Sequence, residues 1–149
     1  MPESLPKPTD LFERVVLPVG DRDDAHASIR ALLPYLDEDS AVTALHVVDP
    51  SWSHPTPEEG RIEYGEEILE IVEDACEERA VPVETEVISS HEMIDTILEV
   101  ATRVDASVVA FLPREESEWK SFLTGGTARK LVRQSDYPVL VLAPHDDGS

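Results

Sequence analysis

Three short groupings in this 149-residue chain carry residue types that do chemistry. Gly125-Gly126-Thr127 stands directly before an apolar stripe at Ala128, Leu131 and Val132, and so opens a helix. Free N–H groups and the positive end of the dipole at such a start favour an anion. The same residues also make an ordinary turn with a threonine N-cap. Asp21, Asp23 and Asp24 follow Gly20. They are hard oxygen donors of the kind that hold Mg²⁺, or acids that complement the dipole of a first helical turn; the second reading is adopted and no metal is assigned. Ser89-Ser90-His91-Glu92 sets a hydroxyl beside an imidazole, but Ser89-x-x-Glu92 is also a capping box ahead of a helix, and no catalytic residue is assigned. Cys76 shares a stripe with Val72 and Ala75 and reads as core, and His46 within an apolar run reads as a satisfied buried histidine.

Five apolar runs must position these groups: Arg14 to Val19, Ala41 to Val48, Val83 to Ile88, Ser107 to Leu112 and Pro138 to Ala143. Their near-continuous apolar character predicts strands covered on both faces, as in a parallel sheet. Between them lie stripes at helical spacing, such as Ala25, Ile29, Leu32, Leu33, Leu36 and Ile94, Ile97, Leu98, Ala101. Pro34 predicts that the first helix kinks or ends near Tyr35. The alternation predicts a single α/β domain over residues 11–144: a doubly wound, five-stranded parallel sheet in the order 3-2-1-4-5, with helices on both faces. Residues 1–10 and 145–149 read as flexible ends. The segment from Asp49 to Glu59, holding Trp52 and His54 among prolines, is the longest irregular connection.

Ligands of such sheets bind outside the carboxyl ends of the strands, where strand order reverses. With the predicted order that point lies between the ends of strands one and four, beside Pro18-Val19-Gly20-Asp21 and Phe111-Leu112-Pro113-Arg114, with the Gly125 turn close by.

The opening strand ending in Pro18-Val19, the second strand Leu45-His46-Val47-Val48-Asp49, the entry Asp105-Ala106-Ser107-Val108-Val109 and the run from Gly125 to Leu142 together resemble the universal stress protein family, over nearly the whole chain. The resemblance implies an ATP site in which the loop after strand four reads G-x-x-G, nine residues, then G-[ST]. With Gly125 on the last glycine, Leu112 and Glu115 fall on the first two; shifting to Gly126-Thr127 puts Pro113 and Glu116 there. Side chains with a Cβ obstruct close backbone approach to phosphate. Glu115, Glu116 and Glu118 add negative charge, offset in part by Arg114 and Lys120. A like charge near 4 Å costs about 4 kcal/mol at an effective dielectric of 20, less in strong salt. The resemblance also implies Pro-[TV]-Asp at the end of strand one, the Asp contacting the nucleoside; here Gly20 follows Val19 and Asp21 comes one place late. Val47 matches a position that touches adenine in such members. The residues assigned to the crevice are therefore Val19, Gly20, Asp21, Val47, Leu112, Arg114, Gly125, Gly126 and Thr127, with ATP disfavoured. The crevice alternatively takes ATP through a rearranged loop, or another small anion. A protein partner is the remaining alternative. No Walker A, no Gly-x-Gly-x-x-Gly after strand one and no Ser-Gly-Gly-x-Asp-Ser loop is present, which disfavours an adenylating enzyme.

The last strand is an apolar sheet edge, and an exposed edge invites pairing. The resemblance likewise implies a homodimer there, through Val139, Leu140, Val141 and Leu142. A net charge of -20, from 32 acids against 12 basic residues, repels nucleic acid and anionic membrane, and neither is expected as a partner. With only three lysines, the charge reads as adaptation to a salt-rich cytoplasm. A lone cysteine fits a reducing compartment, and no run approaches the roughly 18 apolar residues of a membrane span.

Overall fold

The apolar runs form strands and the stripes between them form helices in the computed structural model, which describes residues 11–50, 56–112 and 127–143. In chain order these are β1 (Arg14–Pro18), α1 (Arg22–Leu32), a 3-10 turn (Leu33–Tyr35), β2 (Ala41–Val48), α2 (Glu58–Glu78), β3 (Val83–Ser89), α3 (Met93–Arg103), β4 (Val108–Phe111), α4 (Thr127–Gln134) and β5 (Val139–Val141). The strands make one parallel sheet in the predicted order, β3-β2-β1-β4-β5.

Central strands are apolar on both faces because each face is covered. All four residues of β4, and every residue of β1 after Arg14, are buried. Alternate side chains feed two cores. Val15, Leu17, Val42 and Ala44 pack with Ile29, Leu32, Ile68 and Val72 of α1 and α2, whereas Val16, Leu45, Val109 and Phe111 pack with Ile97, Val100 and Leu131 of α3 and α4. Cys76 belongs to the first core, and burial pushes its thiol from an ordinary 9 to about 11, with Glu77 adding to the rise.

The α-helical part of α1 ends at Leu32, and Pro34, which has no N–H to donate, sits in the 3-10 turn that closes at Tyr35. Helices α2 and α3 end alike. Ala80 N–H donates to Glu77 C=O and Val81 N–H to Cys76 C=O; Asp105 N–H donates to Thr102 C=O and Ala106 N–H to Ala101 C=O. Both ends are Schellman motifs, with Ala80 (φ 58°) and Asp105 (φ 57°) in the left-handed position. Asp tolerates that conformation better than alanine does. Ala80→Gly is therefore expected to stabilise the fold by about 1 kcal/mol, read by urea denaturation. No gain would mean that α2 does not close through this turn. Beyond Asp105, the Ser107 hydroxyl accepts from Arg14 N–H at 2.9 Å, joining the starts of β1 and β4.

One local expectation is corrected. Ser89 does not cap the third helix: it is the last residue of β3, held opposite Val48 by the sheet register, and its hydroxyl donates to Glu58 at 2.6 Å. The residue at the N-cap of α3 is Glu92, with no side-chain cap bond, while the Ser90 hydroxyl accepts from Glu92 N–H at 3.0 Å.

The β5 ladder reaches beyond its three strand residues, since Pro138 C=O accepts from Val109 N–H and Leu142 N–H donates to Phe111 C=O. Along this edge Val139 and Leu140 are half-buried and Val141 is 54% exposed. Leu142 is drawn into the core at 4% exposure, so its side chain is not part of the edge surface.

Candidate functional site

Parallel strands bring all their carboxyl ends to one side, and there the end of β1 turns sharply into α1. Asp21 caps that helix, its carboxylate accepting from Asp24 N–H at 2.7 Å. Asp24 is only 1% exposed, and its carboxylate accepts from Gly20 N–H at 2.7 Å and from the Ser28 hydroxyl at 2.9 Å. The two aspartates fasten the turn to its own helix. Val19 N–H donates to Leu45 C=O, and the Val19 carbonyl lies 2.9 Å from His46 Nδ1, so that nitrogen carries the proton.

A crevice of about 690 Å³ opens over the ends of β1, β2 and β3. Gly20, His46, Val47 and Val48 form its sheet side; Gly60, Arg61 and Tyr64 of α2 form one wall; Ser90, His91 and Met93 form another. Next to it α2 lies very close to the sheet at Gly65, where an added Cβ would stand 2.7 Å from His46 Cδ2 and 3.2 Å from a Val87 methyl. Arg22 joins α1 to that helix, reaching Glu67 at 2.6 Å and lying 5.6 Å from the centre of the Tyr64 ring. Arg61 is turned to backbone, with Nε donating to Thr56 C=O at 3.1 Å and Nη1 to Asp49 C=O. At the mouth His91 Nδ1 stands 2.9 Å from Asp49 Oδ1, a contact between the end of β2 and the approach to α3.

The structure brings Gly20 and Val47 together in this crevice. Val19 is buried beneath it, Asp21 is committed to its cap, and Leu112 packs in the first core at 1% exposure. Thr127 begins α4. Arg114, Gly125 and Gly126 lie outside the described residues, as do Trp52, His54 and Trp119. Sequence reasoning did not assign Asp49, Arg61, Tyr64, His91 or Met93 to a site. The available signal was positional: Asp49 directly follows the predicted strand Ala41 to Val48, and His91 comes three residues after the predicted strand Val83 to Ile88, both at the ligand end of the sheet.

A family model described as the universal stress protein family matches residues 11–143, nearly the full length of the chain. The chain belongs to the universal stress protein family. Solved structures agree on its fold. The universal stress protein from Archaeoglobus fulgidus in complex with dAMP is 19% identical, the match covering 89% of this chain and 98% of that one with a TM-score of 0.64. A family protein from Burkholderia pseudomallei is 17% identical over 88% and 96% of the two chains, with a TM-score of 0.65. An Arabidopsis thaliana family protein with AMP bound is 15% identical over 90% and 93%, with a TM-score of 0.59. The comparison with curated proteins gave no match. Among the described residues of this universal stress protein, no helix is long and apolar enough to cross a membrane, and no three His, Cys, Asp or Glu side chains gather as a metal site would need.

Proposed function

We propose that this universal stress protein is a non-catalytic, dimeric stress-response regulator of a salt-rich cytoplasm, whose nucleotide crevice has lost its grip on ATP. The observation that carries this reading is the state of the turn after β1. Gly20 N–H, the Asp21 carboxylate and the Val19 carbonyl all have hydrogen-bond partners within the chain, and engaging a ligand through them means breaking those bonds. In either register of the family's phosphate-loop pattern, two glycine positions meanwhile hold other residues, Leu112 and Glu115 or Pro113 and Glu116. A net charge of -20 adds a general penalty against a polyanion.

Titration calorimetry with Mg-ATP in molar KCl is expected to show no micromolar binding to a folded protein. Micromolar affinity would overturn the degenerate-site reading. It would favour the second reading, an ATP-binding member with a rearranged loop, which draws support from the crevice's size and from the dAMP and AMP complexes of proteins of the same fold.

Dimerisation rests on β5, a sheet-edge strand whose Val141 is exposed and lies near the half-buried Val139 and Leu140. Val141→Lys is expected to convert dimer to monomer by sedimentation in molar KCl without loss of the fold. A dimer unchanged by that substitution would place the contact elsewhere.

A further inference from the structure

We propose that the open edge of β3 receives an extended, basic segment of a protein partner, added to the sheet as a further strand beside the acidic face of α2. The site lies outside the crevice and shares no lining residue with it.

The sheet ends in two edges that differ in kind. β5 is short and apolar, whereas β3 runs from Val83 to Ser89 and, among the described residues, pairs only with β2. Val42 N–H donates to Pro82 C=O and Ser90 N–H to Val48 C=O, so the even-numbered residues of β3 turn their backbone groups to β2. Those of Val83, Thr85, Val87 and Ser89 therefore point outward. Such a row is a template for another strand.

The charge beside this edge selects the partner. Glu66, Glu70 and Glu73 recur on one face of α2 and line a groove of about 290 Å³ together with Thr85, Glu86 and Val87 of β3. None of the three makes an ion pair or side-chain hydrogen bond among the described residues. They do not gather as a metal site would need, so the row suits cations strung along a chain. Along the helix axis they succeed one another at about 6 Å and about 4.5 Å. An extended chain returns a side chain to the same face about every 6.7 Å. A strand with lysine or arginine at alternate positions thus sets one cation near each carboxylate, within reach of its flexible side chain. A second copy of this chain would bring the same acids to the same edge, and like charges oppose that pairing.

The test is fluorescence anisotropy in 0.5 M KCl, with the fold of each variant checked by circular dichroism. The probes are labelled acetyl-Arg-Val-Arg-Val-Arg-Val-amide, its block isomer Arg-Arg-Arg-Val-Val-Val, and the alternating peptide N-methylated either at the valines or at the arginines. The alternating peptide is expected to bind at least fivefold more tightly than the block isomer, which carries the same charge. One N-methylated form should lose at least tenfold and the other should be tolerated, because only alternate N–H groups of an added strand face β3. Glu66→Gln, Glu70→Gln and Glu73→Gln combined should weaken binding about tenfold. Glu63→Gln, Asp74→Asn and Glu78→Gln remove as much charge from exposed positions of α2 outside the groove, and should weaken it by less than twofold.

Equal binding of the two isomers, equal loss in the two triple variants, or tolerance of N-methylation at both sets overturns the proposal, since each marks attraction to overall charge alone. No binding at millimolar peptide overturns it as well, and leaves the acids as a guard against self-pairing of the edge.

Discussion

Asp24→Ala is expected to cost the fold about 3 kcal/mol, a fall of about 10 °C in Tm for a domain of this size. The carboxylate is 1% exposed and works in two directions. Its Oδ2 takes the Gly20 N–H at 2.7 Å and its Oδ1 takes the Ser28 hydroxyl at 2.9 Å. Alanine removes both acceptors, and an orphaned buried donor costs about 1–3 kcal/mol. The serine can turn back to a carbonyl of its own helix, but the glycine amide is fixed by the end of β1 and cannot. Asp24→Asn keeps the shape and one acceptor oxygen, and should cost less than half as much. Thermal denaturation in molar KCl checks both, since strong salt screens general charge effects and leaves the buried hydrogen bonds. An alanine variant as stable as the natural chain would mean that water replaces the carboxylate and that the turn is not held from beneath.

Gly65→Val should be comparably damaging, at about 3 kcal/mol, and for the opposite reason: it adds atoms where there is no room. Even a bare Cβ would lie 2.7 Å from His46 Cδ2 and 3.2 Å from Val87. The His46 ring cannot swing aside without giving up the Val19 carbonyl at 2.9 Å, and Val87 is held in β3 opposite His46. Gly65→Ala should cost about 1 kcal/mol, because the overpacking of about 1–3 kcal/mol is partly offset by alanine's advantage of about 1 kcal/mol in a helix. Urea denaturation of the pair gives the comparison. If alanine stabilises instead, α2 does not sit this close to the sheet, and the crevice between Tyr64 and His46 is wider than described.

The two substitutions mark different degrees of legibility. Asp21, Asp23 and Asp24 read from sequence as acids of a first helical turn, which two of them are, with Asp21 as the cap itself. That Asp24 is buried and holds the preceding turn was not legible, because the pattern says where a residue lies on its helix and not how closely the chain before it folds back. Gly65 carried no signal at all: a glycine inside a long helix is punctuation in one dimension and a contact surface in three. Ser89 misled for a related reason. The capping-box spacing was present, but strand pairing with β2 held Ser89 in extended backbone and carried its hydroxyl to Glu58.

Family, strand order and the two covered faces of the sheet were determined by the sequence alone, since they follow from the periods of apolar residues and from motifs whose order along the chain is itself the information. The contents of the crevice were decided only by tertiary structure. Asp49 and His91 are 42 residues apart and meet because two parallel strands end level with one another. Arg61 counts as a cation in the sequence, yet its guanidinium is turned to the carbonyls of Thr56 and Asp49. Periodicity is a property of neighbours along the chain; a hydrogen bond between strand ends depends on register, and register exists only once the sheet is assembled.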